Sequence, residues 1–374
     1  MTETSVDDFY ANTPLGVGTD PGTVLRSREI TIDHLAGVAN TWQLVYTTTT
    51  SFGFPCVASA TVLEPRRRRD NGGRSRALVV FCPTFHGLGG ACAPSQKLVR
   101  ACEPDVGSIA AALANGWTVA VPDGIGLAIT GAHPHHFLAA QADAHAVLDL
   151  ARALSIALVP PGRAPIPVAL WGYADGGRAV ASAAEWHAQY ASELDLRAVA
   201  AGAVIADPGA LITTLDGGAW AGLAFAGMIG LARAYSHLPV DHILTDAGVR
   251  AVAAASSLDV SALLSDYRFP LARWCERPDP WNDPVWAHIL DSERLGSKTP
   301  IVAVHLYHGR LDALVPIDSG RGLFAEYLSR GVDVSWSEYD CPHVGAADQA
   351  TPDVFRVLRA GFALPPPGRT SNSS

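Results

Sequence analysis

The stretch PIPVALWGYADGGRAVASAAEW, residues 165–186, decides how the rest of the chain is read. An apolar run at 167–170 leads into Trp171-Gly172-Tyr173-Ala174-Asp175-Gly176-Gly177, and an alanine-rich run follows Arg178. The order is strand, sharp turn, helix. A helix that starts directly off a strand end packs tightly against it, so the turn needs small residues. Gly172, Gly176 and Gly177 supply them. A G-x-S-x-G nucleophile elbow has this form, but its middle position here is Ala174. A bare G-x-x-x-G is weak evidence; one that follows an apolar strand and opens a helix is stronger.

Outward from the elbow, apolar runs alternate with helical ones. RALVVFCP (76–83), WTVAVPDG (117–124), PIPVALWGY (165–173), RAVAAGAVIAD (197–207), TPIVAVHLYHG (299–309) and VDVSWSEYD (332–340) read as strands. GSIAAALANG (107–116), HHFLAAQADAHAVLDLARAL (135–154), 319–330 and TPDVFRVLRAGF (351–362) read as helices. This alternation predicts a mostly parallel sheet with helices on both faces. Ahead of it, TWQLVYTTTTSFGFPCVASATVLEP (41–65) reads as antiparallel strands. From 208 to 297 the alternation stops. That region is helical and apolar, with Trp220, Phe225, Met228, Trp274, Trp281 and Trp286, and reads as an inserted cap. The expected organisation is a core in two parts, 1–207 and 298–364, the cap at 208–297, and a disordered tail at 365–374.

Composition narrows the function. The 374 residues are 48% hydrophobic and 17% charged, enough apolar content for a large core. A net charge of −9 argues against a nucleic-acid partner. The one basic cluster, Arg66 to Arg69, sits beside Asp70, Asn71, Gly72 and Gly73 and reads as a solvated hairpin loop. The acidic, polar start MTETSVDDFY has no signal-peptide pattern, which favours an intracellular protein or a trimmed secreted one. The longest uncharged stretch, 217–232, is too short and glycine-rich for a membrane span, and no stable membrane insertion is expected. The six cysteines show no C-x-x-C spacing, so no zinc site is expected. His133-Pro134-His135-His136 lacks a carboxylate or thiol at ligand spacing and reads as a polar loop entering a helix.

Two more strand ends carry chemistry. In YHGRLDALVP (307–316), Asp312 stands where a carboxylate can orient a histidine. In YDCPHVGAAD (339–348), His343 stands just past the next strand. Alone, Asp312 is an ordinary turn residue and His343 an ordinary loop histidine. Together, at consecutive strand ends and in the order elbow, acid, histidine, they fit a Ser-Asp-His hydrolase. FCPTFHGLGGACAPS (81–95) can present a backbone N–H to a developing oxyanion, with the N–H of Asp175 as second donor. A phosphate loop would need a following G-K-[ST], which is missing.

These pieces resemble the secretory lipases of the Candida antarctica lipase A type, especially their actinobacterial relatives. The resemblance covers about residues 9–362. It rests on FYANTP, PGTVLRSREI, HG followed by ACAPS, GWTVAVPDGIGL, WGYADGG, YASEL and HGRLDALVP. It implies an α/β-hydrolase fold and ester hydrolysis by a Ser-Asp-His triad without a cofactor. The nucleophile falls on Ala174, the acid on Asp312, the base on His343 and the loop oxyanion donor on His86. The resemblance also suggests a disulfide between Cys92 and Cys275. Gly87, Trp220, Phe225 and Met228 are expected at the site of a small ester or acyl substrate with an apolar part.

Decay of a nucleophile usually lets its partners drift, yet Asp312, His343 and the flanking glycines remain. That favours a serine hydrolase carrying a deliberate Ser→Ala change at 174. Two other readings stay open: an acyltransferase or cyclase on the same triad, and a natural pseudoenzyme that binds an apolar ligand.

Overall fold

The computed structural model describes residues 8–16, 18–66, 77–131, 135–158 and 165–364. The expectations for Arg67 to Gly73, for His133 and for the 365–374 tail lie outside these residues.

Three strands, β1 (Val24–Ile30), β2 (Val38–Thr49) and β3 (Pro55–Pro65), form an antiparallel meander. It joins the main sheet through β5 (Thr118–Pro122), which pairs antiparallel with β3 and parallel with β4 (Leu78–Cys82). Beyond β4 come β6 (Val168–Tyr173), β7 (Leu196–Gly202), β8 (Ala303–Gly309) and β9 (Val334–Tyr339), all parallel. The full order is β1-β2-β3-β5-β4-β6-β7-β8-β9. Strands β4 to β7 are buried along their whole length, which explains why they read as unbroken apolar runs.

Helices cover both faces. On one face α3 (Ala140–Leu158), α4 (Asp175–Tyr190) and α10 (Ile317–Ser329) pack Leu148, Val180, Leu323 and Tyr327 onto the sheet. On the other, α1 (Pro94–Val99), α2 (Val106–Ala114) and α12 (Thr351–Ala363) contribute Leu98, Ile109, Leu113, Val354 and Leu358. Between β7 and β8 run α5 (Pro208–Leu215), α6 (Ala221–Ala234), α7 (Asp246–Ala255), α8 (Val260–Asp266) and α9 (Pro284–Ser292). They share a core of their own around Phe225, Met228, Tyr267 and Trp286. A last helix, α11 (His343–Gln349), follows β9.

One helix begins later than its sequence suggests. The run from His135 to Ala139 stays a loop, and α3 starts at Ala140. Tertiary contacts decide this. Phe137 and Leu138 are buried against the inserted helices, and Leu138 takes a φ of 70°. The loop is not polar in its surroundings, because His135 and His136 are both buried. Burial pushes the His135 imidazole down to about 4, against a 2.9 Å hydrogen bond between its Nδ1 and the Ile125 carbonyl.

β4 has β5 on one side and β6 on the other, while β5 precedes β6 in the chain. The crevice at the carboxyl ends of β4 and β6 is therefore a topological switch point, where ligands of open α/β sheets bind.

Candidate active site

Ala174 is the hinge between β6 and α4, with φ 52° and ψ −112°. A positive φ at a residue with a side chain costs about 1–3 kcal/mol and persists only where packing enforces it. Here packing does. A Cβ on Gly172 would lie 2.2 Å from the Gly176 carbonyl oxygen, and one on Gly176 would lie 1.9 Å from that of Cys82. Two hydrogen bonds fix the hinge: Ala174 N–H donates to the Gly202 carbonyl at 2.9 Å, and Arg178 N–H donates to the Ala174 carbonyl at 2.9 Å. The Ala174 methyl then faces a cavity of about 280 Å³.

His343 opens on the same cavity. Its Nδ1 stands 2.6 Å from Asp312 Oδ2. The other carboxylate oxygen, Oδ1, accepts the N–H groups of Leu314 and Val315, each at 2.9 Å. Burial of Asp312 opposes its charge. Hydrogen bonds from His308 and His343, the positive charge of His343 when protonated and the Val315 N–H outweigh it, and hold the carboxyl well below its usual range. An anionic Asp312 accepting from Nδ1–H leaves Nε2 free as a base. Tyr173 adds a clamp, its hydroxyl donating to the His343 carbonyl at 2.6 Å. His308, 3.3 Å from Asp312, was not legible in the sequence; it is a histidine inside an apolar strand, a pattern shared by many buried histidines.

The cavity lining is mostly apolar: Phe137, Leu211, Leu215, Trp220, Leu223, Leu264, Leu314 and Val344. Of the residues expected at a substrate site, Trp220 lines this cavity. Phe225 and Met228 do not. They line a separate cavity of about 20 Å³ with Ile229, Val252 and Trp286, and the Phe225 ring stacks on Tyr267 at 4.9 Å. Leu223 takes the expected place. Gly87 is not among the residues lining this cavity either: a Cβ there would lie 2.6 Å from Asp259 Cα and from Cys92 Sγ, at the seam with the helices that follow β7. Cys92 and Cys275 are free thiols. Cys92 lies against Leu258, while Cys275 lines the small cavity beside Phe225.

The oxyanion side also departs from expectation. Asp175 begins α4 beside Ala174, and an N–H at the first position of a helix has no intrahelical acceptor. On the loop after β4, the cavity is lined by Thr84 and Phe85. His86 is buried behind them, with Nε2 2.9 Å from Glu103 Oε1. The loop residues that line the cavity therefore lie one and two positions before His86.

Among the described residues, His86, Glu103 and Asp105 are the one group whose donor atoms come within 4.8 Å of one another, as a metal ion would require. Each already has a protein partner. His86 Nε2 meets both Glu103 oxygens, Glu103 Oε1 accepts Asp105 N–H, and Asp105 Oδ2 accepts from Thr84. The group is complete as a hydrogen-bonded network.

Behind the elbow, Asp175 faces Asp143 across a chamber of about 50 Å³. Burial raises both carboxyls, against the pull of the Arg178 guanidinium.

A mixed and mostly parallel sheet flanked by helices on both faces, with a sharp strand-to-helix turn after β6, is the α/β-hydrolase fold. Candida antarctica lipase A in its closed state has the same fold, with a TM-score of 0.84 at 22% identity, covering 97% of this chain and 87% of that one. Within that class, the secretory lipase family model matches residues 94–363, and the chain belongs to this family. Lipase A of Arthroderma benhamiae is 30% identical over 359 residues, covering 89% of this chain and 74% of its own. A Mycobacterium tuberculosis protein named "Probable inactive lipase MT1628" is 28% identical over 364 residues, covering 92% and 79%.

Proposed function

We propose that this chain binds carboxylic esters with an apolar acyl part and retains every element of a serine esterase except the hydroxyl. The observation that carries the reading is the 2.6 Å His343–Asp312 hydrogen bond, opening on the same apolar cavity as an elbow still held at φ 52° around Ala174. With serine at 174, His343 Nε2 would take the hydroxyl proton as Oγ attacks the acyl carbonyl. The same proton would then pass to the leaving alcohol, and water would release the acid by the reverse sequence. The Asp175 N–H and the Phe85 N–H would hold the oxyanion. Thr84 N–H is already bonded to Asp105, whereas Phe85 N–H has no acceptor among the described residues. We read 208–297 as the cap that roofs the acyl cavity through Trp220 and Leu223.

The relative named a probable inactive lipase supports natural loss of the nucleophile over a deliberate change at 174. The secretory character of the family favours export over an intracellular location. The test is to express Ala174→Ser and assay p-nitrophenyl esters and acyl thioesters, with and without an added alcohol or amine. Hydrolysis supports the proposal. Products that appear only with the added acceptor would favour the acyltransferase reading. A folded serine variant inert on the whole panel would end the hydrolase reading.

A further inference from the structure

Two acids beside the acyl cavity, the buried Glu103 and the half-buried Asp105, take no part in the chemistry proposed above. Asp105 lies just ahead of α2, far in sequence from the loop after β4. Its Oδ2 accepts both the Thr84 N–H at 2.8 Å and the Thr84 hydroxyl at 3.0 Å. Glu103 works on the other side of the loop. It holds His86 Nε2 at 2.9 and 3.1 Å and also accepts the Asp105 N–H at 3.1 Å. The His86 carbonyl is fixed in turn, accepting Val260 N–H at 3.0 Å from the inserted helices.

Phe85 is thus bracketed. Its neighbours on both sides are tied down, and its ring stacks on Phe137 with centroids 3.9 Å apart. The start of the loop also rests on the elbow, since the Cys82 and Pro83 carbonyls fill the space a Cβ on Gly176 would occupy. What remains uncommitted at this level of the cavity is the Phe85 amide.

We propose that Asp105, supported by Glu103, is a positioning residue: by engaging Thr84 it leaves the Phe85 N–H as the loop's oxyanion donor and holds it there. This rests on the ester-hydrolase reading of the site. The role needs an oxygen acceptor at 105 that is anchored from behind. It does not need a charge at the oxyanion. The two Thr84 donors and the start of α2 both favour the Asp105 carboxylate in place.

The test uses the Ala174→Ser protein as its background. Asp105→Ala should lower kcat about a hundredfold, as loss of one oxyanion donor does, with KM within about twofold. Asp105→Asn keeps an acceptor oxygen for Thr84 N–H and should recover most of that loss. A kcat for Asp105→Ala within threefold of its background overturns the proposal, and so does an asparagine variant no better than the alanine one. A second readout needs no catalysis. In the Ala174 chain, octanoate should shift the Phe85 and Asp175 amide resonances, and Asp105→Ala should abolish the Phe85 shift alone. An unshifted Phe85, or an equal shift in both proteins, also overturns the proposal. If Ala174→Ser is inert while the amide response follows this pattern, the ester-hydrolase reading fails and the positioning role stands.

Discussion

Ala174 keeps a backbone conformation that alanine does not favour, and no hydrogen bond of its own side chain rewards it. The strain is sustained by neighbours, chiefly the contacts of Gly172 and Gly176. Restoring a hydroxyl at 174 therefore requires no rearrangement of the backbone. The same scale sets the pH behaviour of the acid. The Asp312 carboxyl is held below its ordinary value, so its contribution to stability is present above an unfolded value of about 3.9 and disappears as pH falls through the folded value. Asp312→Asn should remove that contribution. In urea titrations the variant should lose less stability than the parent between pH 5 and the strongly acid range. An identical acid slope in both proteins would contradict the assignment.

At the scale of elements, α6 shows where the sequence stops being informative. Leu223 and Phe225 are two positions apart, so they point to different sides of the helix. Leu223 lines the acyl cavity, whereas Phe225 and Met228 face the inner core of the insert. The helix is buried nearly all round, so hydrophobic periodicity gives no polar face from which to orient it. In the Ala174→Ser background, Leu223→Trp should cut octanoyl-ester turnover at least about tenfold relative to butyryl. Phe225→Ala should leave that selectivity unchanged and lower stability by about 3–5 kcal/mol, as expected for a truncated core aromatic. The reverse pattern would mean that the cavity has been placed on the wrong face. The strand ends that carry the elbow, Asp312 and His343 were legible because the three follow successive strands in the order elbow, acid, histidine, the first of them after a fully buried apolar strand. The proposed role of Phe85 was not, because the placement of the loop after β4 depends on partners about twenty residues along the chain, here Asp105 and Glu103. The Cys92–Cys275 pairing failed for a similar reason: it came from resemblance, and no local pattern specifies which seam a buried thiol faces.

Across the whole molecule, one buried cation ties the insert to the sheet domain. Arg178, on α4 just past the elbow, is completely buried. It donates to the carbonyls of Leu138 at 2.9 Å, Ile205 at 2.6 Å and Glu293 at 2.5 Å. The Glu293 carboxylate stands 3.5 Å away and accepts the Ala140 N–H at 2.7 Å and the Tyr235 hydroxyl at 3.0 Å. Removing one member of a buried pair leaves the other uncompensated, which costs about 3–5 kcal/mol. Arg178→Met should show that loss in the unfolding free energy, and Arg178→Met with Glu293→Met should recover part of it. A loss under about 1 kcal/mol would mean that the insert is held mainly by its apolar seam.

On the proposed function, a single missing hydroxyl separates this chain from an esterase. The most direct measurement is the rate of p-nitrophenyl octanoate hydrolysis by the Ala174 chain, by Ala174→Ser, and by Ala174→Ser with His343→Ala. In an intact triad, loss of the serine costs on the order of 10⁶ in kcat. The serine variant should exceed the Ala174 chain by several orders of magnitude, and His343→Ala should abolish the gain. A correctly folded serine variant with no gain, or a gain that survives the loss of His343, would contradict it.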